Sequence, residues 1–329
     1  MPSTFPTSSA SSFPGPFRIA IIGLGGIGST FAFHLSSKGH HEITAIVRPK
    51  SKRYDQLSTS KAILTTSKES APLSSVEQAL DPTIEYDLVI VTLLAHQVQG
   101  DVLEALRRSK AKGILFMFNQ VDPEGLSRAV LLEPTSDNSS SNPSSAPRIL
   151  AFGMPFVQGF LLPSGELSHK LGAMGAQSLL SHPPYVTLFN ACSLPASHEP
   201  QMKRWLESHV PLCIAFESIS YKAMSNNPPK GTGATWAQAK LVAKGTRASF
   251  RLVETVHGRP IYPSGKRWFS FAPVWCMAGV FWGMSRIPSV RELLAMGVEE
   301  SRRLVDELVE RGEKEGKEEL LSAVRAMRA

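Results

Sequence analysis

The sequence predicts an α/β protein with a Rossmann-type parallel-sheet domain followed by an all-helical C-terminal domain. Three observations carry this. A short apolar strand runs straight into a glycine-rich turn and a helix. Apolar strand-like runs then alternate with helical ones to about residue 196, and beyond about residue 198 only helical spacing remains.

The opening stretch MPSTFPTSSASSFPGP is rich in Ser and Pro and lacks both an apolar run and basic residues. It reads as a disordered leader over residues 1–17 rather than a signal peptide. The first strand is RIAIIG at Arg18–Gly23, a helix follows from near Gly26 to Lys38, and a second strand, EITAIVR, covers Glu42–Arg48. Strand, helix and strand over about thirty residues make a βαβ unit, which implies parallel pairing. YDLVIVTLL at Tyr86–Leu94 is a near-continuous apolar run, as expected of a parallel strand covered on both faces. A helix at Gln99–Arg108, a strand at Gly113–Phe118 and a strand beginning at Arg148 continue the alternation. Between them, Pro134–Pro147 is low-complexity and reads as an exposed insertion. Linker chemistry at Leu194–Pro200 separates an expected cofactor domain at 18–196 from an expected helical domain at 197–329. Helical spacing in the latter covers Trp205–Met224, Trp236–His257 and Val290–Arg311.

A net charge of +7 invites a nucleic-acid reading, but the cations scatter into short clusters at Lys50–Arg53 and Arg302–Arg303, without aromatics between them. No nucleic-acid partner is expected; an anionic cofactor or substrate suits the charge equally. Cys192, Cys213 and Cys276 are too few and too spread for a disulfide framework, which points to free thiols and a cytoplasmic location. Trp268–Met284 is apolar and uncharged but about one turn short of the roughly 20 residues a bilayer requires, and Pro273 and Gly279 interrupt it. No membrane span is expected. Trp268, Trp275 and Trp282 recur every seven residues, a helix stripe suited to core packing or to a homodimer through the helical domain. The histidines show no ligand spacing, so no metal site is expected.

The motif with chemical content is Gly23-Leu24-Gly25-Gly26-Ile27-Gly28. Following a strand and opening a helix, it meets the context a dinucleotide fingerprint requires. Gly23 makes the tight turn, Gly25 admits a pyrophosphate to the backbone, Gly28 lets helix and strand pack closely, and the helix N-terminus offers N–H groups to phosphate. An acidic residue at the end of the second strand would select NAD. Here Arg48 stands there, followed by Lys50, Lys52 and Arg53, and a guanidinium grips the 2′-phosphate of NADP.

With these residues the chain resembles the ketopantoate reductase family. RIAIIGLGGIGSTFAFHLSSKG with its Arg48, DLVIVTLLAHQV at Asp87–Val98, ILFMFNQ at Ile114–Gln120 and FGMPFVQGFLLPSGELSHKLG carry the likeness, which is looser beyond. The resemblance implies hydride delivery from NADPH to a ketone, with a lysine of the helical domain protonating the oxygen. It places Gln97 and Asn119 on the cofactor, Asn119 by the nicotinamide. Leu94 occupies the position of the family's turn lysine, and Gln120 replaces a glycine. The catalytic lysine follows a tryptophan by two residues; counting from Trp205 gives Glu207, and a shifted alignment gives His209. An imidazolium can donate a proton near neutral pH, which makes His209 the better acid on chemistry. Spacing sets His209, Cys213, Glu217 and Ser220 on one helix face, with Pro211 an awkward interior residue. The expected function is NADPH-dependent reduction of a carbonyl (or imine) of a small molecule less anionic than ketopantoate. The rivals are an isomerase or cyclase that retains NADP, and a non-catalytic cofactor-sensing protein.

Overall fold

The computed structural model describes residues 16–131, 148–172, 175–225, 233–288, 290 and 297–328. Residues 1–15 of the expected leader, the whole 134–147 insertion, and 291–296 of the last expected helix lie outside the described residues. The chain divides into two compact units, one of Met1–Phe118 with Leu126–Met202, the other of Asn119–Gly125 with Lys203–Ala329. The sequence-based boundary at 196 differs by a few residues, and it does not anticipate that the 119–125 segment groups with the helices.

In the first unit the strands are β1 (Arg18–Ile22), β2 (Glu42–Ile46), β3 (Ala62–Leu64), β4 (Ser70–Pro72), β5 (Ser75–Glu77), β6 (Leu88–Val91), β7 (Gly113–Met117), β8 (Ile149–Met154), β9 (Val157–Leu161), β10 (Leu167–Leu171), β11 (Ser178–Leu180) and β12 (Ala196–His198). Eight of them form one sheet in the order β12-β11-β8-β7-β6-β1-β2-β5. Pairing is parallel from β5 to β8, and β11 joins antiparallel at β8. Every residue of β6 and β7 is buried, which explains their unbroken apolar sequence. The helices are α1 (Gly26–Ser37), α2 (Lys52–Ser60), α3 (Asp101–Arg108), α4 (Pro123–Leu131) and α5 (Pro183–Ala191). Helix α1 buries Phe31, Ala32 and Leu35, and the Phe31 ring meets Phe189 of α5 edge-on at 5.2 Å. Because the chain leaves β1 for β2 on one side and returns to β6 on the other, the strand order reverses at β1, where ligands of such sheets bind.

The hairpin β9–β10 lies against α1. A Cβ on Gly26 would run into the carbonyl of Gly159, so two glycines allow backbone to touch backbone. Arg53 of α2 fastens the same region: Nη1 donates to Gly165 O at 2.8 Å, Nη2 to Ser29 Oγ at 2.9 Å and Nε to Leu24 O at 3.3 Å.

The second unit is helical, as the sequence predicts: α6 (Met202–Ser225), α7 (Trp236–His257), α8 (Trp268–Phe271), α9 (Val274–Met284), α10 (Val298–Lys314) and α11 (Glu318–Arg325). Helix α7 starts on a capping box, in which the Thr235 hydroxyl accepts from Gln238 N and the Gln238 side chain accepts from Thr235 N. It is central to the unit's core, burying Ala239, Val242, Ala243, Thr246 and Phe250. Helix α6 continues through Pro211, whose missing N–H leaves the Glu207 carbonyl without its usual helical donor. The seven-residue tryptophan stripe is not one helix. Pro273 ends α8 and starts α9; Trp275 is 69% exposed, while Met277, Ala278 and Phe281 fill the core instead. Among the described residues no helix is long and apolar enough to cross a membrane.

Candidate functional site

The glycine turn sits at the C-terminal edge of the parallel strands. Gly23 leaves β1 with φ +97°, a region L side chains rarely enter, and its N–H donates to Ile46 O at 3.2 Å. Its carbonyl accepts from Thr92 Oγ1, just past β6, at 2.6 Å. Gly28 is buried, and a Cβ there would run into that same Gly23 carbonyl. Gly25 is the opposite case: it is exposed, and a Cβ would meet nothing within 4 Å. Open space therefore faces the backbone at the N-cap of α1, which has no side-chain cap and no acidic residue in its first turn. The first N–H groups of a helix have no intrahelical acceptor, and such an N-terminus suits an anion. Leu24 and half-buried Ile27 pack inward on the core, and Gly26 faces the hairpin rather than the open side.

Arg48, Lys50 and Lys52 are exposed beyond β2 and form no ion pair among the described residues. Arg53, grouped with them by sequence, is turned inward to the hairpin as described, and burial holds its guanidinium down to about 10. Gln97 lies exposed on a single 3₁₀ turn after β6, where its Oε1 accepts the Leu94 N–H at 3.1 Å.

In the helical unit, Asn119 follows β7 by two residues and is almost fully buried. Its Nδ2 donates to Glu300 Oε1 of α10 at 3.0 Å, and its Oδ1 accepts from the Cys213 thiol of α6 at 3.4 Å. Glu217, one turn beyond Cys213, is only 6% exposed. Burial first, then the negative Glu300, push its carboxyl up to about 8, against the opposing pull of the Ser301 hydroxyl. Burial likewise raises Glu300, and burial with both carboxylates raises the Cys213 thiol. Tyr221 Oη accepts the Val298 N–H at 3.1 Å, a further link between α6 and α10.

The two expected proton donors have other surroundings. The His209 ring stacks on Trp205, centroids 4.3 Å apart, and burial with the Lys266 charge lowers its pKa to about 3. The imidazolium on which the sequence reading relied is not the form present at neutral pH, because that reading could not see the burial. Glu207 is 4% exposed; both oxygens accept from Arg259 Nη2 at 2.8 Å, and His257 Nδ1 lies 3.6 Å away. This carboxylate holds α6 to the segment after α7. Sequence reasoning missed Lys266, whose Nζ lies 3.9 Å from the Trp205 ring centroid and donates to Ser208 Oγ at 3.2 Å. It also missed Glu300. Neither has a local motif, since each reaches its partners only through long-range packing.

Fold and turn together define a two-domain protein of Rossmann type. Residues 19–170 match the family model described as Ketopantoate reductase PanE/ApbA, so the resemblance drawn from the sequence holds over that stretch. A PanE/ApbA family ketopantoate reductase from Ralstonia eutropha JMP134 is similar at TM-score 0.63 and 17% identity, covering 94% of this chain and 98% of its own. The 2-dehydropantoate 2-reductase from Methylococcus capsulatus is similar at TM-score 0.61 and 16% identity, covering 94% of each chain. D-mandelate dehydrogenase in complex with NADH is similar at TM-score 0.64 and 14% identity, covering 94% and 98%. At such identities the likenesses speak for the fold alone, which the chain shares over both its sheet and its helical part. No curated protein matches it.

Proposed function

We propose that the protein is a divergent ketopantoate reductase-type enzyme that reduces a carbonyl (or imine) carbon of a small molecule with NADPH. The observation that carries this is the open backbone at Gly25, at the mouth of an uncapped helix, in a chain that places the exposed cations Arg48, Lys50 and Lys52 just past the neighbouring strand. The chain's residues fit the cofactor. Gly23, Leu24, Gly25, Gly26, Ile27 and Gly28 would shape the pyrophosphate turn, Arg48 would pair with the 2′-phosphate, and Gln97 and Asn119 would serve the nicotinamide half. When bound, NADPH supplies the hydride. Leu94 offers no charge to a substrate carboxylate, and the Glu207 carboxylate is tied to Arg259, which favours a substrate less anionic than ketopantoate.

The test is loss of reduced-nicotinamide absorbance across a panel of ketones, 2-keto acids and imines. Tight NADPH binding with no oxidation by any of them would remove the reductase reading. Ketopantoate itself is expected to be reduced with kcat/KM below the ordinary enzymatic range of about 10⁴–10⁸ M⁻¹s⁻¹; a value inside that range would refute the argument from Leu94. Arg48→Asp is expected to weaken NADP binding by about 2 kcal/mol, roughly thirtyfold, and to narrow the gap to NAD. Calorimetry that finds equal NADP affinity in mutant and parent would sink the assignment. Free Cys192, Cys213 and Cys276 accord with a cytoplasmic location. The homodimer expected through the helical region, measured by sedimentation, would use the exposed Trp275 and Trp282.

A further inference from the structure

Two side chains of the first unit hold the glycine turn: Thr92 bonds the Gly23 carbonyl, and Arg53 of α2 bonds the Leu24 carbonyl. We infer that Arg53 is a positioning residue for the cofactor's pyrophosphate. It fixes the Leu24–Gly25 peptide and sets a positive charge behind the turn, acting through the backbone rather than by contact with the ligand. This inference rests on the proposed NADPH site.

The C=O and N–H of a planar trans peptide point in opposite directions. Leu24 O accepts from Arg53 Nε at 3.3 Å and from Ser29 Oγ at 3.1 Å. The Gly25 N–H of the same trans peptide therefore points away from the guanidinium. Gly25 itself is exposed, with open space where a Cβ would stand. Arg53 Nη2 donates to Ser29 Oγ at 2.9 Å, which leaves the single hydroxyl proton to Leu24 O, so the two contacts reinforce each other. The guanidinium is also tied on its far side, where Nη1 donates to Gly165 O of the hairpin at 2.8 Å. Gln56 Nε2 closes the same tip against α2 by donating to Pro163 O at 3.3 Å.

All three acceptors of Arg53 are neutral. Asp55 and Glu166 line the same cleft, but neither pairs with Arg53, and Glu166 accepts from Lys68 at 2.7 Å. Burial holds the guanidinium down to about 10, and no carboxylate pulls it back up. It is charged at neutral pH, and a partly desolvated cation without a counter-charge gains from a nearby anion. The first turn of α1 carries no acidic residue to serve as one. An anion at the turn would fill that role, and Arg53 would strengthen its hold.

Titration calorimetry with three probes tests this: NADPH, inorganic pyrophosphate, and 2′-AMP, which has the phosphate assigned to Arg48 but no pyrophosphate. Arg53→Met removes the charge and keeps the length. It should bind NADPH and pyrophosphate about tenfold more weakly, and 2′-AMP within about twofold of the parent. Arg53→Lys restores the charge and should recover most of the loss. Parental pyrophosphate affinity in Arg53→Met would overturn the inference and leave the NADPH site standing. An equal loss for all three probes, as a purely structural residue gives, would overturn it too. Should Arg53→Met melt below the assay temperature, NMR of the parent decides. The Arg53 Nε–H, identified by its absence from Arg53→Lys, should exchange with water about tenfold more slowly in pyrophosphate but not in 2′-AMP, by the reciprocity of coupled binding. Equal exchange in both would refute the role. A parent that binds neither NADPH nor pyrophosphate would remove the cofactor reading and this inference with it.

Discussion

Gly28→Val is expected to abolish NADPH binding and to cost on the order of 3 kcal/mol of stability. The added Cβ would occupy the space of the Gly23 carbonyl and crowd Thr92 Oγ1 at 2.6 Å. Neither can swing away: the first is backbone, and the second is already donating to that carbonyl. Overpacking of this kind costs about 1–3 kcal/mol where side chains can adjust, and the upper end applies where a backbone atom must move. Gly25→Ala provides the contrast. Its Cβ meets no protein atom within 4 Å, so melting should be unchanged while NADPH affinity falls about tenfold, because it fills the space proposed for the pyrophosphate. Scanning calorimetry and titration calorimetry together read both variants. Unchanged NADPH affinity in Gly25→Ala would mean that the open face is not the binding face.

Glu207→Ala is expected to destabilise the fold by about 2–4 kcal/mol. Removing one partner of a buried pair usually costs 3–5 kcal/mol; the lower figure reflects Arg259, whose side chain is 37% exposed and can recover some water. The neighbouring His257, lowered to about 4 by burial and by the charges of Arg259 and Arg311, is neutral at neutral pH and offers Arg259 no counter-charge. Urea denaturation measures the loss. A variant of native stability with impaired turnover would return Glu207 to the chemistry.

These residues show what was readable in the sequence. The β1–α1–β2 segment and its glycine turn depend on local chemistry and a short period, and the structure reproduces them with strand ends trimmed by one or two residues. Helix α7 has the bounds its periodicity predicts, since its cap pairs residues three apart. Strand β6 spans four residues where the apolar run has nine, because the chain beyond Val91 turns to embrace the glycine turn. The carboxyl cluster was half readable. Helical spacing puts Cys213 and Glu217 on one face, but Glu300 meets Asn119 across 181 residues, and no local pattern records such a pairing. The charge of His209 was not readable, because spacing carries no information on burial, and burial lowers the pKa of this imidazole to about 3.

The three acceptors of Arg53 come from distant parts of the first unit: Leu24 and Ser29 at the glycine turn, and Gly165 at the tip of the β9–β10 hairpin, 112 residues downstream of Arg53. During synthesis on the ribosome, the first βαβ unit therefore emerges long before the segment that completes it. Until that hairpin leaves the exit tunnel, the Gly26 face of α1 has no Gly159 to pack against, and one guanidinium donor lacks its carbonyl. The nascent N-terminal hundred residues are thus an incomplete folding unit, and a chain that terminates before residue 165 would present α1 to chaperones with its hairpin face bare.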